Sequence, residues 1–229
     1  MDMQPSESAT QLLVRYEHQP VLRGLVQLIP FGIGAAIESA LLTQLNRYRE
    51  QQLQVFFDEL GSGSVPLTEE LTHNNDFLHC YFATLRAVLR SRRHEKIKFL
   101  ARLLRGSFDG RVSDVDEYEE LIGLTDELSL RELTILAILS ENEKANPIRE
   151  SENELQRASR FWPGFVADVE SKLGLDEELL RALLVRLQRS GCYEEFTGSY
   201  LSYTGGKGRT TDLYLRLTRA AGSISDIPV

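Results

Sequence analysis

The chain has few of the residues that build common chemical sites. Its 229 residues include two cysteines, Cys80 and Cys192, four histidines and one tryptophan. Two cysteines far apart in sequence do not make a disulfide framework, which favours a reducing compartment. His79 and Cys80 are adjacent, but no second pair at metal-ligand spacing accompanies them. We therefore predict no metal site.

The sequence also lacks the patterns of familiar enzymes. Cys80 lies in a stretch that predicts a core helix, so a catalytic pair with a distant histidine is not favoured. The glutamates are scattered through solvated runs, and no acid–base pair stands out. Lys207 follows two glycines, but Gly208 stands where a phosphate-binding loop needs serine or threonine. We predict no enzyme activity, no catalytic residue and no cofactor.

Long apolar runs are missing as well. The most apolar segment, residues 24–37, is fourteen residues long and uncharged, whereas a spanning helix needs about twenty apolar residues. The first ten residues are polar and acidic and lack the features of a signal peptide. We expect a cytoplasmic protein. Peripheral membrane association through residues 21–42 and a basic helix is an alternative.

Charge is present in abundance but unevenly distributed. The net charge is −8. Residues 1–110 are balanced, residues 111–178 carry 7 basic and 18 acidic residues, and residues 179–229 carry 7 basic and 4 acidic residues. Overall acidity disfavours a protein that coats nucleic acid indiscriminately, but it is compatible with a small basic reading face.

A basic run within the first half stands out from this pattern. Between Arg86 and Arg105 lie eight basic residues and one acidic residue, Glu95. The run could bind nucleic acid, an anionic membrane or the acidic segment 111–178 of the same chain. It could also be a solvated helix face, since residues three and four apart share one side of a helix.

The sequence of the first half predicts helices throughout. Apolar residues recur at helical spacing along residues 35–60, 77–90 and 95–105. Residues 12–16 and 21–29 predict two short helices. Pro20 would end the first or start the second, and the glycines and proline of residues 30–34 would end the second. We predict a helical bundle domain over residues 1–110.

The second half has a different order of elements. Residues 111–128 predict a linker or short helix. Ser129 and Glu132 form a capping-box pattern before an apolar run, and Ser151–Glu154 repeats it. Proline in Trp162–Gly164 predicts a helix break.

The last fifty residues predict a helix followed by a hairpin. A leucine-rich helix is predicted over Asp176–Ser190, then a strand over Cys192–Thr197. A basic glycine-rich tip over Gly205–Arg209 leads to a second predicted strand over Asp212–Leu217. This order predicts a helix, a strand, a basic loop and a strand.

This arrangement resembles that of winged-helix DNA-binding domains. The likeness is carried by Leu183–Gly191, with its leucine, basic residue and glycine, and by Leu215–Gly222, with its Leu-Thr pair and glycine. It covers about the last hundred residues. A charged insertion over Glu141–Arg160 departs from the pattern. The segment around Ile29–Gly32 is faintly similar to helical domains of uncharacterised bacterial proteins.

The resemblance implies a mainly α protein: an N-terminal helical bundle and a C-terminal winged-helix domain, residues 129–229, with a two-stranded wing. Double-stranded DNA is the implied partner, and a transcription regulator with a dimerisation or sensing domain is the implied function. The predicted nucleic-acid contacts are Arg181, Arg186, Gln188, Arg189, Lys207 and Arg209. Because winged helices also bind proteins, an adaptor or homodimer is the alternative.

Overall fold

In the computed structural model of the chain, residues 7–29, 39–63, 65–196 and 206–226 are described. These residues form ten α-helices, two 3-10 helices and one two-stranded antiparallel sheet. The prediction of a mainly helical protein with a small two-stranded element is therefore confirmed. None of the described helices is both long and apolar enough to cross a bilayer.

The chain divides into two compact units, and each has its own core. Unit 1 is Met1–Gly123 and unit 2 is Leu124–Pro228. The helices of unit 1 are α1 (Glu7–Arg15), α2 (Pro20–Gln27), α3 (Ser39–Gly61), α4 (Asn75–Arg90), α5 (His94–Gly106) and the first nine residues of α6 (Val115–Glu127), with a 3-10 helix at Glu69–His73. Helix α6 occupies most of the segment predicted as a linker or short helix.

Unit 1 is built around helices α3, α4 and α5. Phe56, Leu60 and Leu100 are among the buried residues of this core. The hydroxyl of Tyr81 donates to the carbonyl of Leu25 at 2.6 Å, which joins α4 to α2. Burial of these large side chains is the main stabilising contribution to the unit. The predicted break over residues 30–34 lies outside the described residues.

A buried arginine holds the segment that follows α3. Arg105, on α5, is 5% exposed. Its guanidinium donates to the carbonyls of Leu60 and Val65 and lies over the ring of Phe108, with 5.8 Å from Cζ to the ring centroid. A methyl group at Gly63 would overlap this guanidinium, so any larger residue there would displace the Arg105 side chain from its hydrogen bonds.

Unit 2 contains the remaining helices and the sheet. Its elements are the end of α6, α7 (Leu130–Ala145), α8 (Glu154–Leu173), α9 (Glu177–Arg189), β1 (Tyr193–Glu195), β2 (Gly208–Thr210), α10 (Asp212–Ala221) and a 3-10 helix at Ile224–Asp226. Helix α7 is central, because every residue from Ile135 to Ser140 is buried. A helix that is buried on all sides lies inside its unit.

The prediction of a strand over Asp212–Leu217 is wrong, because these residues begin helix α10. The side chain of Thr211 caps the helix by accepting from the backbone N–H of Tyr214. Tyr214, Leu217 and Ala221 are buried, at helical spacing. Alternating leucines fit both a strand and a helix, and burial of the helical face decides the conformation. The second strand is instead the short β2.

The predicted helix break at Trp162–Gly164 is also wrong. Helix α8 continues through Pro163 from Glu154 to Leu173. Proline inside a helix removes one hydrogen bond and costs about 3 kcal/mol. Phe161, Phe165 and Val169 are buried on one face of α8, and burying two aromatic side chains and a valine contributes more, at roughly 1.5–3 kcal/mol each.

The start of α8 differs from the prediction by two residues. Asn153, rather than Ser151, is the capping residue, and it forms a capping box with Gln156. The capping box at Ser129 and Glu132 is confirmed. Both devices satisfy backbone N–H groups that the first helical turn leaves without partners.

Candidate nucleic-acid interface

Helix α9 carries four of the predicted DNA-contact residues. Asp176 accepts from the backbone N–H of Leu179 at 2.8 Å and so begins the helix. A stripe of four leucines, Leu180, Leu183, Leu184 and Leu187, is buried. The opposite face is turned to solvent, as the leucine spacing predicts. Leu179, which the same spacing places in the buried stripe, is instead 42% exposed.

Three of the predicted contact residues lie on this solvent face. Arg181, Gln188 and Arg189 are all exposed. Arg181 pairs with Glu177 one turn earlier, with 3.4 Å from Nη2 to Oε1, and both side chains are more than 70% exposed. Exposed pairs of this kind contribute little stability, so a phosphate can compete for the guanidinium. Within the described residues, no ion pair joins Arg189 to a carboxylate.

Arg186 differs from its neighbours because it faces a buried carboxylate. Its Nε lies 3.3 Å from Oε1 of Glu132 on α7, and the Glu132 side chain is 1% exposed. The other oxygen of Glu132 accepts from the backbone N–H of Ser129 at 2.9 Å, which closes the capping box. Oε1 makes no hydrogen bond within the described residues. Arg186 is therefore the nearest positive charge to a desolvated anion.

The hairpin carries the two remaining predicted contacts. In the antiparallel pair, Arg209 lies directly opposite Glu194, and their side chains form an ion pair of 2.9 Å. Lys207 precedes β2, and its Nζ lies 3.1 Å from the hydroxyl of Ser159 on α8. Gly208 is required by close approach, because a methyl group there would overlap the backbone of Glu194.

A half-buried glutamate binds β2. One carboxylate oxygen of Glu143, on α7, accepts from the backbone N–H of Thr210 at 2.8 Å, and the other accepts from its hydroxyl at 2.5 Å. Burial raises the pKa of Glu143, and the two bonds from Thr210 oppose that shift. Through these hydrogen bonds Glu143 joins helix α7 to Thr210 of β2, which lies 67 residues later in the sequence.

The segment 141–160, predicted as a charged insertion, is the end of α7, a turn and the start of α8. Arg157 donates to the carbonyls of Asn146 and Glu143, at 2.7 and 2.5 Å, and so satisfies the end of α7. Arg160 binds both carboxylate oxygens of Glu152, at 3.0 and 2.8 Å. These hydrogen bonds lower the pKa of Glu152 to about 2.

A groove of about 630 Å³ lies between these elements. It is lined by the ends of α7 and α8, by β2 and by the first turn of α10. Its charged lining residues are Glu143, Lys144, Glu154, Arg157, Glu194, Arg209 and Asp212. The mixture of signs gives the groove no strong preference for an anion or a cation.

No protein-family model, curated protein or solved structure matches this chain. Function is therefore inferred from the residues and geometry of this chain.

Other candidate chemistry in the sequence has an ordinary structural setting. His79 Nε2 lies 2.6 Å from Oε1 of Glu119, and both side chains are exposed. Burial raises the pKa of both cysteine thiols, Cys80 and Cys192, to about 11, which disfavours the thiolate. Among the described residues, no group of three or more His, Cys, Asp and Glu side chains is arranged to hold a metal ion.

The structure adds residues that sequence reasoning missed. Glu143, Arg157 and Arg160 determine where the hairpin and the α7–α8 turn lie, and none was a predicted site residue. Their partners are 8 to 67 residues away in sequence. Acidic and basic residues are plentiful in this segment, so sequence spacing alone carried no signal for these particular pairs.

Proposed function

We propose that unit 2 is a winged-helix-like module that binds duplex DNA, within a cytoplasmic regulator whose unit 1 serves dimerisation or sensing. Three helices, α7 to α9, precede an antiparallel hairpin. Winged-helix modules use this order, with the third helix in the major groove and the hairpin beside it. The order of elements supports the proposal.

The exposed face of α9 is the observation on which this proposal depends. Arg181, Gln188 and Arg189 extend into solvent from a helix whose other face is buried. Arginine and glutamine are the side chains that pair most readily with guanine and adenine edges, and arginine also binds phosphate. Two helical turns separate Arg181 from Gln188, a span of about 10 Å, which is about three base-pair steps of B-DNA.

The neighbouring carboxylates divide the predicted contacts into two groups. Glu177 and Glu194 form exposed pairs with Arg181 and Arg209, and a DNA phosphate can displace such pairs at low cost. Arg186 pairs with the buried Glu132, so its withdrawal would leave the buried carboxylate without its cation and Oε1 without a partner. We assign Arg186 to the fold of unit 2 and keep Arg181, Gln188, Arg189, Lys207 and Arg209 as DNA contacts.

The test is fluorescence anisotropy of a labelled generic duplex, titrated with the full chain at rising salt. The double variant Arg181→Ala/Arg189→Ala should weaken binding by about tenfold or more, because one lost phosphate or base contact costs roughly 1–3 kcal/mol. The matched control is Arg131→Ala/Arg219→Ala, which removes two exposed arginines from the same unit. Absence of salt-dependent binding, or equal losses in both variants, would refute the proposal.

A protein-binding use of α9 is the second candidate. Leu179 and Val185 are 42% and 45% exposed, and with Ala182 they form an apolar line on the solvent face. Exposed apolar lines of this kind occur at protein interfaces. Under this alternative, sedimentation would show self-association that Val185→Glu abolishes, and duplex binding would be absent.

A further inference from the structure

A second positively charged surface lies in unit 1, at the junction of α4 and α5. Four arginines are concentrated there: Arg86 and Arg90 on α4, Arg92 in the connection, and Arg93 as the capping residue of α5. All four are exposed. We call this surface, together with Arg47 and Arg49 of α3, the basic corner. We propose that it binds the phosphate backbone of duplex DNA without reading bases.

The connection between the two helices is held in a defined position. Ser91 is buried, and its hydroxyl donates to the carbonyl of Ala87 at 2.8 Å. Its own carbonyl accepts from the side chain of Gln52 on α3. The backbone between Arg90 and Arg92 is therefore fixed on both sides, so these exposed side chains start from ordered positions.

Helix α3 carries two more arginines close in sequence to its contact with Ser91. Gln52 contacts Ser91, and seven residues later Glu59 pairs with Arg102, with 2.6 Å from Oε1 to Nε. Helices α3 and α5 therefore run in the same direction. Arg49 and Arg47 precede Gln52 by three and five residues, or about 5 to 8 Å along α3. Both are exposed and lie within two turns of the residue that contacts the connection.

The segments of the basic corner carry an excess of positive charge. These segments, residues 47–50 and 86–95, contain six arginines and two glutamates, Glu50 and Glu95, in a chain of net charge −8. Within the described residues, no ion pair involves Arg86, Arg92 or Arg93. Repulsion among these three arginines is unfavourable, and a polyanion relieves it.

The chemistry of the corner favours DNA over a membrane. Arginine forms paired hydrogen bonds with phosphate oxygens and needs no particular base. Membrane association also requires an exposed apolar face. Among the side chains that the structure describes, the large exposed apolar ones near the corner are Tyr48 and Phe82, and the ring of Phe82 lies 5.4 Å from that of Tyr81, measured between centroids. Two separate aromatic rings do not form such a face.

The corner and the α9 face share a ligand, but each is tested separately. Duplex anisotropy is measured with the full chain between about 50 and 200 mM salt. The corner variant is Arg86→Gln/Arg92→Gln/Arg93→Gln. Because each phosphate contact contributes about 0.9 to the slope of log K against log salt, the slope should fall by about 2 to 3. Affinity at the lowest salt should fall tenfold or more.

The matched control, Arg23→Gln/Arg131→Gln/Arg219→Gln, removes three exposed arginines elsewhere and changes the net charge equally. It should leave the slope within about one of the original value. An equal change in both triple variants overturns the proposal, as does a wild-type chain that does not bind the duplex. Thermal melting by circular dichroism confirms that each variant is folded.

Comparison with Arg181→Ala/Arg189→Ala separates the two proposals. Loss of binding in the corner variant alone supports the basic corner and refutes the α9 face. Loss in the α9 variant alone does the reverse. Flotation with phosphatidylserine vesicles tests the membrane alternative: vesicle binding that depends on the corner, without duplex binding, would also overturn the proposal.

Discussion

Arg186 should stabilise unit 2 through Glu132, whether or not DNA is bound. The guanidinium Nε lies 3.3 Å from a carboxylate oxygen of Glu132 that makes no hydrogen bond within the described residues. Replacement by alanine removes the nearest cation from a carboxylate that is 1% exposed. Glu132 also caps α7, the central helix of the unit, so the loss acts on the core.

The magnitude follows from the unequal burial of the two partners. A buried acceptor without a partner costs about 1–3 kcal/mol. Arg186 is 61% exposed, so water screens the pair and can partly replace the guanidinium, which keeps the ion-pair contribution near that of a surface pair, about 1 kcal/mol or less. We expect Arg186→Ala to lower the free energy of unfolding by about 1–2 kcal/mol.

A double-mutant cycle isolates this interaction. Glu132→Gln keeps the capping box and removes the charge. In that background Arg186→Ala should cost about 0.5 kcal/mol or less, which gives a coupling energy of about 1 kcal/mol. Urea unfolding followed by fluorescence of Trp162, the single tryptophan, reports on unit 2. Arg189→Ala is the surface control and should stay within about 0.5 kcal/mol of wild type.

Two results would contradict this reasoning. One is an Arg186→Ala variant as stable as wild type. The other is an equal cost of Arg186→Ala with glutamate or glutamine at position 132, since the effect would then not pass through the carboxylate. If Arg186→Ala lowered DNA affinity without lowering stability, Arg186 would instead be a DNA contact.

Three further predictions concern the rest of the chain. Arg160 lowers the pKa of Glu152 to about 2 from an ordinary 4.5. The stability that this pair contributes is therefore complete above about pH 4.5 and is lost as the pH falls toward 2. Urea unfolding midpoints measured over an acid pH series should show this loss in wild type and not in Glu152→Gln. Gly63→Ala should destabilise unit 1 by about 2–4 kcal/mol, because Arg105 must give up hydrogen bonds to two carbonyls. The control Gly123→Ala has open space around it and should be neutral or stabilising by up to about 1 kcal/mol. Amide hydrogen exchange of unit 1 measures the difference in stability between the two variants. The two buried thiols should react with an aromatic disulfide reagent at pH 8 only as fast as the chain opens, so rapid labelling of the native protein would show that they are accessible.

Local chemistry made several elements predictable from sequence. Helix α9 begins at the Asp176 cap, follows a leucine repeat and ends just before Gly191, which has φ of +77°. The capping box of Ser129 and Glu132 has the same origin. All these signals act within one or two turns, so the residues that carry them are close in the sequence. Apart from Leu179, which is exposed, the buried and exposed faces of α9 followed from that repeat.

Contacts between distant residues decided what the sequence left ambiguous. Asp212–Leu217 fits both the two-residue and the helical period, and the buried Tyr214, Leu217 and Ala221 select the helix. Pro163 favours a break, yet burial of aromatic side chains on both sides of it keeps α8 continuous. In each case the free energy of burial exceeds the local preference.

The partners of the candidate site residues also required the tertiary structure. Arginine at position 186 looks the same in sequence as arginine at 189, but folding places Glu132 beside the first and leaves the second in solvent. The sequence determined which residues of α9 face outward. The tertiary structure determined which of those cations already neutralise a carboxylate, because an ion pair depends on distance in space and not on separation along the chain.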